Sequence, residues 1–214
     1  MVPEQITVRA RTVVTEIAAA GALIGSYPLD WLLRRGESYF CTPSSEPVIL
    51  IHGFGGGRSN LLALAAYLRL AGFDNVSYFE YPRWQTLGDS AAQLRRLAEE
   101  KSGGKGVHLI GHSLGGTVAR RYAASASKRA VRSLVTLGSP YSYGQWSPCE
   151  LGIFGDDDPI VPAPIEALMN RVAFGRIVTL HDVGHLALVF HPEALRIIGT
   201  ELRANRAAEN TAAA

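Results

Sequence analysis

Cysteine is nearly absent from this chain. Cys41 and Cys149 are the two in 214 residues; they form no metal motif, and so few exclude a fold built on a disulfide framework. Whether they pair, and in which redox compartment, stays open. A dominant charge of one sign is also missing. With 21 Lys and Arg against 19 Asp and Glu, the formal net charge is only +2. Without a basic run or interleaved basic and aromatic residues, the chain lacks the footprint of a nucleic-acid binder. No apolar run is long enough for a confident membrane-spanning helix, and there is no internal repeat. What is present is ordinary for one globular domain: 47% hydrophobic and 19% charged residues, enough for a single sizeable core and too apolar for disorder.

Apolar runs rich in β-branched residues alternate with helical segments, which predicts an α/β protein with a largely parallel sheet. The expected strands are Val48 to Ile51, Val76 to Tyr81, Val107 to Ile110, Val131 to Leu137, Leu151 to Phe154 and Arg176 to Leu180. Most are continuously apolar, as in strands covered by helices on both faces. The expected helices are Asn60 to Leu70, Gln85 to Glu100, Leu114 to Ala126, Pro164 to Val172 and Pro192 to Arg206, with Ser59 or Asn60 as a cap and Pro164 and Pro192 as opening residues.

Residues 1–40 read as an N-terminal helical extension packing on the domain, residues 41–206 as the domain, and 207–214 as a small, polar, flexible tail. Val13, Ile17 and Ile24 fall near helical spacing and define the face expected to pack. Arg9 and Arg11 before the run from Ile17 to Gly25 leave a weak secretory signal or a membrane-surface helix as alternatives. The run is short and alanine-rich, and Glu16 abuts it, so a cytoplasmic location is favoured over a secreted one.

The most informative stretch is Gly111-His112-Ser113-Leu114-Gly115, which fits G-x-S-x-G. A serine hydroxyl is a poor nucleophile unless a tight turn exposes it beside a base, and flanking glycines let neighbouring backbone approach such a turn. An apolar run precedes the motif and a Pro-free, alanine-rich run follows it, giving the strand-turn-helix order that the motif requires. The alternative is a structural serine in a glycine-rich turn.

Ligands of an open parallel sheet bind beyond the carboxyl ends of its strands, and there the other chemical residues cluster. His52-Gly53-Phe54-Gly55-Gly56-Gly57 follows the first strand, Asp156-Asp157-Asp158 the fifth and His185 the sixth. The glycine run lacks both G-x-x-x-x-G-K-[ST] and the full G-x-G-x-x-G, which argues against a nucleotide-binding loop. His181-Asp182-x-x-His185 contains zinc-ligand types, but it lies in a strand-end loop rather than on one helix face.

HGFGGG, GHSLGG, GDDDPIVP and DVGHLAL, in that order, make the chain from Val48 to about Ile198 resemble an α/β-hydrolase, most similar to small bacterial lipases and esterases. The resemblance implies a mostly parallel six-stranded sheet flanked by helices on both faces, with no large lid domain. Carried over by position, it implies Ser113 as nucleophile, Asp158 as acid and His185 as base, with the backbone N–H groups of Phe54 and Leu114 as the oxyanion hole. Asp156 and Asp157 rival Asp158. His52, His108, His112, His181 and His191 are weaker candidates for the base, His52 because it belongs to the oxyanion loop and His108 because it sits inside a strand.

The expected activity is hydrolysis of a small-molecule or lipid carboxylic ester through an acyl-enzyme, with no metal and no cofactor. Acyl transfer by the same residues is the alternative, and a non-catalytic binding protein of the same fold is the third reading. Gly138 to Glu150 leaves little room for a lid, so an open site accepting short or medium acyl esters is expected. Trp84, Tyr141 and Trp146 are candidate pocket residues, with Phe54 and Tyr143 also on strand-end segments. A monomer is favoured, with peripheral contact to a lipid surface left open.

Overall fold

The structure is a computed structural model that describes residues 12–21, 25, 46–127, 129–141, 147, 149–164 and 175–212. Its centre is a six-stranded, all-parallel sheet in the order β2-β1-β3-β4-β5-β6. The strands are β1 (Val48–Ile51), β2 (Val76–Phe79), β3 (Val107–His112), β4 (Val131–Leu137), β5 (Glu150–Gly155) and β6 (Arg176–Leu180). Among the described residues, four α-helices connect or follow them: α1 (Leu62–Leu70), α2 (Leu87–Ser102), α3 (Leu114–Ser125) and α4 (Pro192–Ala212).

Strand side chains alternate between two cores, because successive Cβ atoms point to opposite faces. Val48 and Leu50 of β1 join Leu64 and Leu68 of α1 and Ala194, Ile198 and Leu202 of α4 on one face. Ile49 and Ile51 join Leu94 and Ala98 of α2 and Val118 and Tyr122 of α3 on the other. Both faces of β1, β3 and β5 are therefore covered, in keeping with their largely apolar sequences.

Element ends differ from the expected ones for local reasons. β2 stops at Phe79 because the Tyr81 N–H turns to His52 Nε2, 3.4 Å away, and Pro82 follows. β3 runs on to His112 because Gly111 and His112 still pair with Thr136 and Leu137. Neither Ser59 nor Asn60 caps a helix. Arg58–Leu61 instead form one 3-10 turn that leads into α1 without a side-chain cap. α2 begins at Leu87 rather than Gln85 because the Thr86 hydroxyl accepts the Asp89 N–H at 3.1 Å, and it ends at Gly103 in the left-handed region. Pro164 is not helical, and the rest of the helix expected to Val172 lies outside the described residues. α4 continues to Ala212 through the expected tail, since Ala207-Ala208-Glu209 favours helix and holds no Gly or Pro.

Residues 12–21 are helical, but the packing face is not the expected one. Val13 and Ile17 are 57% and 66% exposed, while Thr12 and Ala19 are buried and Glu16 is half-buried. Thr12, Glu16 and Ala19 share a face at helical spacing, and hydrogen bonds made by the two polar members set the orientation. Ile24 lies outside the described residues. No helix among them is long and apolar enough to cross a membrane.

Candidate active site

The sheet brings Gly53 to Gly57, Ser113, Gly138, Asp158 and His185 to its carboxyl end, each just past a different strand. Ser113 joins β3 to α3 with φ 54° and ψ −125°, a conformation that costs a non-glycine residue on the order of 1–3 kcal/mol and persists only where surroundings enforce it. The surroundings are tight. A Cβ on Gly115 would overlap the backbone of Ile51 and His52, and one on Gly111 would lie 2.5 Å from Gly116 backbone. Glycine at these positions lets α3 start directly against β1 and β3.

The three adjacent aspartates have separate partners. Asp156 accepts from His181 Nδ1 at 2.8 Å and from the Asp182 N–H at 2.9 Å. Asp157 accepts from the Thr12 hydroxyl at 2.7 Å. Asp158 is buried; its Oδ1 accepts the N–H groups of Ile160 and Val161, both at 2.8 Å, and its Oδ2 accepts from His185 Nδ1 at 2.7 Å. The two turn bonds fix the carboxylate, so the remaining oxygen addresses one imidazole. That bond assigns the His185 proton to Nδ1 and leaves Nε2 with its lone pair. His181 and His185 thus engage different carboxylates, and the described residues contain no metal-ligand grouping.

Two routes place the Asp158–His185 pair beside Ser113. The Ser113 N–H donates to Leu137 O at 2.8 Å, and the next residue, Gly138, has φ 50°. A Cβ on Gly138 would lie 3.1 Å from both Asp158 Oδ2 and His185 Nδ1. The second route is His112, adjacent to Ser113, whose Nε2–H donates to His185 O at 3.1 Å with ring centroids 4.7 Å apart. Among the described residues, no hydrogen bond joins Ser113 Oγ to His185. Such bonds are often long in substrate-free enzymes and close when substrate binds.

The other histidines have structural surroundings. His112 is buried, and burial, reinforced by His185 beside it, lowers its pKa to about 3. His52 is lowered by burial as well. Its Nδ1–H donates to Gly53 O at 2.8 Å, its ring stacks on Tyr81, and Tyr81 Oη donates to His52 O at 2.9 Å. It braces the glycine loop. His108 is held at about 4 by burial, its ring between Ser133 and Glu46.

The glycine loop turns tightly, with the Gly56 N–H donating to Gly53 O at 3.1 Å and Gly55 at φ 67°. A Cβ on Gly53 would meet Ser113 Cβ at 2.9 Å, so this loop abuts the serine. Among the described residues no acceptor takes the N–H of Phe54. The Leu114 N–H opens α3, where the first N–H groups have no partner within the helix.

The aromatic residues fare differently. Trp84 is 82% exposed and borders a surface groove with Gln85, Asp89, Gln93 and Arg96, none of which belongs to the strand-end cluster. Tyr141 is half-buried against Phe154 and Val161. Trp146 and Tyr143 lie outside the described residues.

Sequence reading missed one buried group. Arg120 of α3 donates from Nε and Nη2 to Glu150 Oε2 and Oε1 at 2.9 and 2.8 Å, and from Nη1 to Pro140 O at 2.9 Å. Thr136 Oγ1 donates to Glu150 Oε1 at 2.7 Å. This pair ties the helix behind Ser113 to β4, β5 and the Gly138 turn. An arginine predicted mid-helix and a glutamate just before the strand expected from Leu151 were the only signals; the structure extends that strand back to Glu150.

Comparisons with known proteins agree with this architecture. Lipase 3 of Moraxella sp. (strain TA144) is 32% identical over 99 residues, which cover 42% of this chain and 31% of that protein. The dihydrolipoyllysine-residue acetyltransferase component of the acetoin cleaving system of Cupriavidus necator is 35% identical over 107 residues, 47% of this chain and 28% of that one. The match thus spans about a third or less of the curated relatives' length. In fold, the chain is similar to an alpha/beta hydrolase enzyme from the metagenome of sediments of the lagoon of Mar Chica, with TM-score 0.61 and 21% identity over 76% of this chain and 92% of that one. Residues 46–187 match the profile of the alpha/beta hydrolase fold, and the chain belongs to that family.

Proposed function

We propose that this hydrolase cleaves carboxylic esters through a Ser113–His185–Asp158 triad and an acyl-enzyme. The observation that carries the reading is the buried 2.7 Å bond from His185 Nδ1 to Asp158 Oδ2, set beside a serine at positive φ. His185 Nε2 takes the Ser113 proton as Oγ attacks the ester carbonyl, and Asp158 stabilises the imidazolium that forms. The backbone N–H groups of Phe54 and Leu114 receive the oxyanion, each worth about 3 kcal/mol of barrier by analogy with measured oxyanion donors. The imidazolium then protonates the departing alcohol, and water activated by His185 releases the acid. Neither metal nor cofactor has a role in these steps.

Phe54 and Ile160, 68% and 63% exposed, flank the site with apolar surface. This suits an apolar acyl chain and a peripheral contact with a lipid surface. The short connection between Leu137 and Glu150 supports a site without a large lid, open to short and medium acyl esters. Hydrolysis of p-nitrophenyl esters of increasing chain length by wild type and Ser113→Ala tests the reading: equal rates would refute it, and a sharp rise above the substrate's solubility limit would refute the open site.

The similarity to a protein named as an acetyltransferase component supports a second outcome for the same acyl-enzyme. An alcohol would then replace water in the second step. Product analysis with added alcohol acceptors separates hydrolysis from transfer.

A further inference from the structure

We infer that the helical segment 12–21 is a strap holding the His185 loop to the Asp158 loop, with Glu16 as a positioning residue for His185; this rests on the reading of His185 as the base. Three hydrogen bonds link this segment to opposite sides of the proposed acid-base pair. Thr12 Oγ1 donates to Asp157 Oδ2 at 2.7 Å, next to Asp158. One turn later, Glu16 Oε2 accepts the Leu186 N–H at 2.9 Å and Oε1 the Ala187 N–H at 2.7 Å, immediately after His185. The residue before His185 is fitted to the same side chain. A Cβ on Gly184 would lie 2.6 Å from Glu16 Cγ and Cδ, so the absence of a side chain there lets Glu16 lie across the loop.

The carboxylate thus contacts the His185 loop on both sides of the imidazole without touching the imidazole. Both oxygens are used, each on one of two consecutive N–H groups, a fork that neither a shorter nor a neutral side chain reproduces in full. Among the described residues the loop is also tethered by the Asp158 bond to the ring, the His112 bond to the His185 carbonyl and the bonds of Asp156 to His181 and the Asp182 N–H. Glu16 is the tether that links the base to a part of the chain outside the sheet.

The test compares wild type, Glu16→Ala and Glu16→Gln in the full chain, with fraction folded followed by urea unfolding. An angstrom of misplacement at a reacting group costs about 100-fold, so Glu16→Ala is expected to lower kcat on a soluble p-nitrophenyl ester by about 10- to 100-fold with KM within about twofold. Glu16→Gln, which keeps one acceptor oxygen, falls between. Without turnover, the downfield His185 Nδ1–H resonance weakens and the Leu186 and Ala187 amides lose exchange protection.

A kcat within twofold of wild type in both variants, or a loss that tracks only the fraction folded with the Nδ1–H resonance unchanged, overturns the strap. If the wild type hydrolyses no ester, the function reading fails instead. The strap then stands or falls on the resonance and the two amides.

Discussion

His112 Nε2–H donates to the carbonyl oxygen of His185 at 3.1 Å, so the residue beside the proposed nucleophile holds the backbone of the proposed base. Burial keeps His112 neutral, at about 3, so this imidazole supports the loop without competing for the proton that His185 must take. In the proposed mechanism two histidines in near contact thus serve as brace and base, set apart by their surroundings.

That neutrality sets a pH dependence. His112 and His108 are lowered to about 3 and about 4 from the ordinary 6.5. Between pH 6.5 and 4 the unfolded chain binds protons at both positions that the folded protein does not. Their stabilising contribution is complete above pH 6.5 and lost as pH falls, by up to about 1.4 kcal/mol per pH unit for each proton. The urea midpoint is expected to drop from pH 7 to pH 5, with a shallower slope in His108→Gln. A flat wild-type midpoint would count against the buried neutral assignment.

The division of labour among the aspartates is testable by amide substitution. Asp158→Asn keeps an oxygen for the Ile160 and Val161 N–H groups but loses the carboxylate that orients His185, so kcat is expected to fall about 10⁴-fold, as in other triads. Asp156→Asn, facing His181, should change kcat by less than about threefold, since exposed pairs contribute little. Ester kinetics on the two variants check this; a reversed order would move the acid role to Asp156.

Arg120 and Glu150 form a buried pair whose members depend on each other. Arg120→Met strands the Glu150 carboxylate and is expected to cost about 3–5 kcal/mol, while adding Glu150→Leu should recover much of that loss. Urea unfolding of the single and double variants measures it; equal loss in both would mean that packing at Arg120, not the stranded charge, dominates.

Ser113 holds its conformation at a cost. Glycine adopts positive φ freely, so Ser113→Gly is expected to unfold about 1 kcal/mol later than Ser113→Ala, both without esterase activity. Indistinguishable stabilities would show that the elbow stores no strain at this residue.

The strand-end site was legible because its residues sit next to apolar runs. His52, Ser113 and Asp158 follow buried strands and His185 follows the edge strand β6, and the parallel sheet gathers strand ends at one edge. Asp158 could be separated from Asp156 and Asp157 only by resemblance; the structure separates them by hydrogen bonds to Ile160, His181 and Thr12. What stayed hidden were polar contacts between distant residues. Glu16 and Leu186 lie 170 positions apart, and Arg120 and Glu150 lie 30 apart; periodicity along one segment carries no sign of a partner on another. For the same reason the N-terminal helix was expected to turn Val13 and Ile17 inward, whereas the Thr12 and Glu16 hydrogen bonds turn the opposite face to the domain.

The central claim is that Ser113 is a nucleophile activated by His185, and covalent trapping with a p-nitrophenyl phosphonate addresses it most directly. Intact-mass and peptide analysis of wild type should show one adduct, on the peptide containing Ser113. His185→Ala should react at least about 100-fold more slowly, the usual lower scale of general-base assistance, and Ser113→Ala should give no adduct. An adduct on another residue, or the same rate of modification in Ser113→Ala as in wild type, would contradict it.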